Sequence, residues 1–403
     1  MLIQREIYMN KIRGFVDQPE IVKVITGLRR CGKSIMLELI QQELLARGVK
    51  KEQILAYNFE DMGLNELKTP EKLYAHLKEK TGAKKGRFYI FLDEIQEVEN
   101  WETPVNSLRV NSDADIYITG SNAKMLMGEY ATRLAGRYVE IRMSPFSFGE
   151  YCVAAREKTP DASNSELFRL YLTHGGMPFL TRAGLGEADS MQYLRDLYAS
   201  VMIKDIIKQN SFRDVDLLER IIAYVMANVG KTFSATSISN FFKSEKRIVA
   251  PETILNYLKG CEDAYLFNRI RRLDVPGKRM LQVNEKYYIA DHGFREAVYG
   301  NNERDMELVL ENIVCQELLR RGYTVSVGRV GDKEIDFVCD RQNERIYVQV
   351  CYLLSGEGTV QREFGVFREI SDNYPKYVVS LDEFDMSREG ILHQNIREFL
   401  LSA

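Results

Sequence analysis

A chain of 403 residues, 45% hydrophobic and 28% charged, is too long for one ordinary core and reads as a soluble globular protein of two or three domains. Its net charge of -3 excludes a global pull toward nucleic acid, so any such contact needs a local basic patch. No apolar run is long enough to span a bilayer, "MLIQREIYMNKIRGF" lacks the apolar core of a signal peptide, and six scattered cysteines with four histidines suggest neither a disulfide framework nor a structural metal. The expected location is the cytoplasm, with no membrane partner.

The first strong pattern is "EIVKVITG", a short strand rich in β-branched residues, followed by a glycine loop and by "SIMLELIQQELLARG", which has helical spacing and stops at Gly48. The frame Gly27-x-x-x-x-Gly32-Lys33-Ser34 fits a phosphate-binding loop at every required position. In such a loop backbone N–H groups close around phosphates at a helix N-terminus, the lysine reaches the β and γ phosphates, and the serine ligates Mg²⁺. Gly27, Arg30, Cys31, Gly32, Lys33, Ser34 and Ile35 are therefore expected at the nucleotide.

"ILAYNFED" is a further strand whose polar end, Asn58 and Glu60, is expected near the same site. "RFYIFLDEIQEVENW" is an apolar strand that ends in Asp93-Glu94: Asp93 is expected to support Mg²⁺ and Glu94 to act as the base. Two adjacent acids also fit a solvated strand end, a reading that loses ground beside the upstream loop. "DADIYITGSNAKML" ends in Thr119, Ser121 and Asn122, and Ser121 or Asn122 is expected to sense the γ-phosphate or hold the attacking water. An ordinary polar turn explains either residue equally well. Arg133 and Arg137 precede one more strand, and Arg137 is expected to be donated to the site of a neighbouring subunit, a turn arginine at the surface being the alternative.

Five segments, "GLRRCGKS", "FLDEIQEVENW", "ITGSNAKML", "LAGRYVEIRMSPFSFGEY" and "HGGMPFL", occur in an order and approximate spacing that resembles the prokaryotic AAA-type ATPases carrying a C-terminal domain of unknown function with a restriction-endonuclease-like fold. The resemblance spans nearly the whole chain. It implies ATP and Mg²⁺ as cofactors, a site completed between protomers of a homo-oligomer, and a Gly-Gly-x-Pro turn, Gly175, Gly176 and Pro178, near the nucleotide base. A tight turn between two helices explains those glycines as well.

After the polar stretch 152–166 and the helical "EADSMQYLRDLYASVMIKDIIKQN", the pattern from about Phe212 changes to three helices and a small hairpin. This reads as a winged helix, with "APETILNYLKGCEDAY" as third helix and a basic strip, Arg269, Arg271, Arg272, Lys278 and Arg279, on the candidate wing. Double-stranded DNA is one expected partner of that strip; a plain interdomain connector is the other reading.

In the last hundred residues "KEIDFVCDRQNERIYVQVCYLL" reads as a hairpin, and the resemblance puts Asp336 at the metal-binding aspartate of the endonuclease-like core. Gln349-Val350-Cys351 stands where that core carries Glu-x-Lys, and a neutral amide and a thiol neither hold a metal nor place a cation beside it. Only Asp336, Glu311 and Glu317 are left to compensate, so nuclease activity is not expected.

The resulting expectation is an α/β protein with a P-loop core at 1–160, a helical lid at 161–210, a winged-helix-like domain at 211–300 and a degenerate endonuclease-like domain at 301–403. Its expected activity is Mg²⁺-dependent ATP hydrolysis that switches the C-terminal modules. The alternatives are a DNA-binding regulatory or genome-defence module in which ATP controls assembly, and, behind it, an ATP-gated nuclease.

Overall fold

A computed structural model of the chain describes residues 2–82, 86–126, 134, 136–300 and 302–402. It divides into two compact units: residues 1–144 with 263–265, and residues 145–262 with 266–403.

The first unit is built on a five-stranded sheet of β1 (Val22–Gly27), β2 (Ile54–Asn58), β3 (Phe88–Asp93), β4 (Ala114–Gly120) and β5 (Tyr138–Met143), in the order β2-β3-β4-β1-β5. Every pairing is parallel. Strands β1, β3 and β4 are buried along their whole length, which explains why they read as continuous apolar runs and not as alternating ones. Helices α1 (Glu6–Arg13), α2 (Lys33–Ala46), α3 (Pro70–Gly82) and α4 (Glu102–Asn111) complete this unit's main elements. One core gathers Val24, Ile90, Leu92, Ile118, Leu73, Leu77, Trp101 and Val105. At the amino ends of the strands Lys23 and Asp115 form a fully buried ion pair, with Tyr117 donating to the same carboxylate at 2.8 Å.

The second unit contains an eight-stranded sheet with the order β13-β12-β11-β10-β9-β7-β8-β6. Its strands are β6 (Thr232–Phe233), β7 (Phe267–Asp274), β8 (Arg279–Ile289), β9 (Thr324–Val330), β10 (Lys333–Arg341), β11 (Glu344–Val350), β12 (Lys376–Ser380) and β13 (Leu392–Asn395). The three helices expected before the hairpin form at Val215–Ala227, Ala235–Ser244 and Pro251–Asp263. The hairpin β7–β8 does not stop at itself: the free edge of β7 takes β9 in parallel, with Leu273 opposite Gly328. Strands on both sides of residue 300 thus share one sheet.

Two helical features of this unit depart from a simple sequence reading. The helix that opens at Glu187 passes at Val201–Ile207 into a π-helical turn before Lys208–Asn210. The Gly-Gly turn is explained by packing, since the buried Asp291 accepts from the Gly176 N–H at 2.8 Å and from the Gly293 N–H at 2.8 Å. A Cβ on Gly175 would lie 1.9 Å from Asp291 Oδ1, and one on Gly293 2.3 Å from the His174 carbonyl oxygen.

Candidate nucleotide site

The loop between β1 and α2 takes its shape from three positive backbone angles, φ of 140° at Gly27, 62° at Arg30 and 105° at Gly32. A Cβ on Gly27 would meet the Met143 carbonyl oxygen at 2.2 Å, so β5 can approach only a glycine there. Cys31 turns inward, buried, with its thiol 3.7 Å from the Met143 carbonyl oxygen, and burial pushes its pKa up. Arg30 is exposed, while Arg29 is half-buried with its guanidinium 3.7 Å from Glu60. The inserted cysteine anchors the loop to β5, and Arg30 faces away from the core.

Lys33 opens α2, followed by Ser34 and the half-buried Ile35. The lysine is buried, and its ammonium donates to the carbonyl oxygens of Gly27 at 3.2 Å and Leu28 at 3.4 Å and lies 3.8 Å from Glu94. Across from it, the Asp93 carboxylate ends β3. Although β4 intervenes between β1 and β3, Ser34 comes near enough to Asp93 to influence its carboxylate. Thr119, from the end of β4, fills the gap: its hydroxyl donates to Asp93 and accepts from the Glu94 N–H at 2.9 Å. Burial raises the Asp93 pKa, and the Thr119 hydrogen bond and the nearby Ser34 oppose that shift. Glu94 has φ of 51°, so the chain turns sharply after Asp93, and its carboxylate accepts from the Gln96 amide.

This donor set fits a magnesium nucleotide. The Ser34 hydroxyl and the Asp93 carboxylate are the protein oxygens offered to one cation, and Mg²⁺ typically takes one or two protein oxygens with phosphate oxygens and waters filling its octahedron. Among the described residues no group of three or more His, Cys, Asp or Glu side chains forms a cage that would hold a metal without a ligand's help.

Other expected residues fall differently. Ser121 and Asn122 are both buried just past β4, and the Asn122 side chain accepts from the Lys124 N–H at 2.8 Å, capping the short turn Ala123–Leu126. Asn58 is exposed at the end of β2. Arg137 is exposed immediately before β5, next to Val22, which is the far end of the sheet from Gly27 and Met143. It does not join the cluster of its own chain. Arg133 lies outside the described residues. Pro178 belongs to the second unit, where it opens the helix Pro178–Ala183.

Arg5 is the residue that sequence reasoning missed. Buried at 2% exposure, it donates from Nη1 to the Cys31 carbonyl oxygen at 2.9 Å and from Nη2 to the Ser144 carbonyl oxygen at 3.0 Å. Nothing in the spacing of residues 5, 31 and 144 announces that contact.

In the second unit Asp336 and Glu311 do come together, around a residue not expected there. The buried Lys286 ammonium lies 2.8 Å from Glu311, 2.9 Å from Glu334 and 3.6 Å from Asp336. Tyr288 donates to Glu311 at 2.6 Å, and the Val350 N–H donates to Asp336 at 2.9 Å. Gln349 and Glu363 share the adjoining cavity of about 440 Å³. Glu317 is elsewhere, bonded to Arg320 and Arg321. On the basic strip Arg269 meets Glu262 and Glu285, Arg271 meets Glu285, Arg272 meets Glu334 and Arg279 meets Asp274.

Comparison with known proteins agrees with the geometry of the first unit. Residues 19–152 match the AAA domain family, and residues 165–305 match a domain of unknown function. A Haemophilus influenzae protein described as uncharacterized is 37% identical over 379 residues, covering 94% of this chain and 93% of that protein. The uncharacterized protein MJ1544 of Methanocaldococcus jannaschii is 28% identical, covering 92% and 83%. Among solved structures, the Walker-type ATPase of Pyrococcus abyssi aligns with 74% of this chain and 96% of its own at 15% identity and a TM-score of 0.49. No helix among the described residues is long and apolar enough to cross a membrane. With a P-loop on a five-stranded parallel sheet and a relative this similar along almost its full length, the chain belongs to one family with the Haemophilus influenzae protein, and its residues 19–152 match the AAA domain family.

Proposed function

We propose that the protein binds ATP with Mg²⁺ and hydrolyses it to ADP and phosphate. The observation that carries this reading is the approach of the Lys33 ammonium, at the start of the phosphate-loop helix, to within 3.8 Å of Glu94, which follows Asp93 at the end of a strand two places away. Mg²⁺, when bound, neutralises charge on the phosphate oxygens and orients them. The loop N–H groups from Arg30, Cys31 and Gly32 onward hold the phosphates. Lys33 leaves its two neutral carbonyl acceptors for charged phosphate oxygens, which bind an ammonium more strongly. Ser34 and Asp93 are the metal ligands. Glu94, turned out of the strand by its left-handed backbone, takes the proton of the attacking water, and Ser121 and Asn122 lie one strand over to position that water.

Arg137 stands six residues before Met143 on an extended strand, about 20 Å from its own loop. That distance supports a role in a neighbour's site, within a homo-oligomer of the cytoplasm. The nucleotide state acts as a switch for the modules of residues 211–300, winged-helix-like, and 301–403, an endonuclease-like core without nuclease activity. DNA binding by the basic strip is the lesser reading, because four of its arginines already face carboxylates.

The test is ATP hydrolysis per protomer over a wide range of protein concentration, with Lys33→Ala as the blank. A specific rate that climbs with concentration supports a site completed between subunits. A wild-type rate equal to the blank at every concentration, with and without duplex DNA, sinks the hydrolase reading.

A further inference from the structure

The first five residues of the chain contribute a buried cation to the back of the phosphate loop, and its geometry goes beyond simple packing. Arg5 Nη1 donates to the carbonyl oxygen of Cys31. In a trans peptide the carbonyl and the following N–H point in opposite directions, so fixing the Cys31 carbonyl on Arg5 fixes the Gly32 N–H facing away from it. That N–H belongs to the residue preceding α2, where a phosphate-binding loop presents its donors. The Gly32 φ of 105° makes this peptide unusually free to flip, since glycine imposes little preference of its own.

The same guanidinium reaches further. Nη2 donates to the carbonyl oxygen of Ser144 at 3.0 Å, and the Ser144 N–H donates to the Tyr8 hydroxyl at 3.0 Å, while the guanidinium stacks 4.7 Å from the Tyr8 ring. Ser144 is the last residue of the first unit before the chain passes into the second. The two ends of this tether are thus the loop peptide and the point where the chain leaves the unit. A lysine could carry the charge but cannot hold both carbonyl oxygens in one planar fork.

The geometry points to Arg5 as a positioning residue for the phosphate loop: it holds the Cys31–Gly32 peptide in the orientation that presents the Gly32 N–H to phosphate, and ties that peptide to Ser144. The inference rests on the nucleotide-binding reading above. Arg5 touches no phosphate itself. Its removal acts through the loop, by releasing a peptide that must then be ordered by the ligand at the ligand's cost in affinity.

The experiment is equilibrium titration of the full chain with a fluorescent, non-hydrolysable ATP analogue and Mg²⁺, together with hydrogen exchange at the Ser144 amide. Four proteins are compared: wild type, Arg5→Ala, Arg5→Lys, and Arg13→Ala, which breaks the α1–α2 bridge from Arg13 to Glu43 without touching the loop. The expected result is affinity weakened about tenfold or more in Arg5→Ala, part of it recovered in Arg5→Lys, and a change within about twofold in Arg13→Ala, as loss of a charge-assisted hydrogen bond implies. Faster exchange at the Ser144 amide, which donates to the Tyr8 hydroxyl stacked on the guanidinium, accompanies it in the Arg5 variants. A folded Arg5→Ala with wild-type affinity overturns the inference, as does an Arg13→Ala that loses as much, since helix anchoring alone would then explain the effect. If Arg5→Ala does not fold, Arg5→Lys decides by the same readouts; failure of both to fold also overturns it, because Arg5 would then be a strut of the core. Wild type that binds no nucleotide sinks the nucleotide reading instead, and exchange at the Ser144 amide without ligand still reports whether Arg5 holds that end of the tether.

Discussion

Two of the buried lysines, Lys33 of the first unit and Lys286 of the second, invite comparison. Lys33 and Lys286 each lie among carboxylates, yet Lys33 holds two neutral carbonyls at 3.2 and 3.4 Å with its carboxylate at 3.8 Å. Lys286 instead has two carboxylates at 2.8 and 2.9 Å and a third at 3.6 Å. For Lys286 burial alone would lower the pKa, but the attraction of Glu311, Asp336 and Glu334 outweighs it and the net shift is upward. The difference separates a cation with weak partners that a polyanion can replace from one already satisfied. On that ground we propose a buried lysine beside acids as a binding site in the first case and a structural keystone in the second.

Removing each lysine should break the protein in opposite ways. Lys33→Ala is expected to weaken binding of the ATP analogue by more than about a hundredfold while the unfolding of the second unit, followed by hydrogen exchange in β10 and β11, stays at wild-type values. Lys286→Met is expected to leave nucleotide affinity within about twofold but to destabilise the second unit by about 3 to 5 kcal/mol in urea unfolding, because Glu311 and Asp336 are left buried without their cation. Equal effects of the two variants on both readouts would erase the distinction.

A sharper form separates binding from chemistry at the first lysine's neighbour. Glu94→Gln keeps a side chain that can bond Gln96 but cannot accept a proton, so steady-state hydrolysis should fall by about a hundredfold or more with analogue affinity nearly unchanged. A parallel loss of affinity would show that Glu94 holds the loop and does not act as the base.

The keystone also predicts a pH signature. Asp336 has its pKa raised well above the usual carboxylate range by burial first and then by Glu311, with Lys286 opposing. Without the ammonium this carboxylate protonates still more readily, and protonation removes the buried charge. The stability gap between wild type and Lys286→Met should therefore narrow as pH falls, because the variant's buried carboxylate takes up its proton first.

The smallest effect concerns the Asp291–His292 pair behind the Gly-Gly turn. Burial raises the Asp291 pKa to about 7 and lowers that of His292 to about 4. Between their ordinary and shifted values the folded state binds more protons at Asp291 and fewer at His292, so the two slopes of stability against pH have opposite signs. Asp291→Asn removes one of them. Its stability should then fall more steeply than wild type as pH drops from 6.5 to 4, by up to about 3 kcal/mol, which urea unfolding at stepped pH would read.

How much of this was legible in the sequence varies with the range of the contact. The phosphate loop and the Asp93-Glu94 strand end could be read because each is a local pattern whose residues must be neighbours in the chain. The β10–β11 hairpin was legible for the same reason, and it forms with Phe337 opposite Val348. Grouping Glu311 with Glu317 failed, for a reason available beforehand: six residues along a helix rotate the side chain by about 240°, onto a different face. Thr119 was noted as a polar strand end, but its place between Asp93 and Glu94 depends on β4 lying between β1 and β3, and strand order leaves no local mark.

What the chain alone determined is therefore a set of local elements: the strand–loop–helix around Gly27 to Ser34, the apolar strands of a doubly covered sheet, and the helices before the hairpin. Each follows from periodicity, glycine placement and side-chain type within a few residues. Tertiary structure decided the rest. It brought Arg5 to Cys31 and Lys286 to Glu311 and Asp336, it put Arg137 at the opposite end of the sheet from its own loop, and it continued the β7–β8 hairpin into β9. Such contacts join residues far apart in sequence, and their partners are selected by the order in which strands assemble and by burial that leaves no charge unpaired, neither of which any short segment encodes.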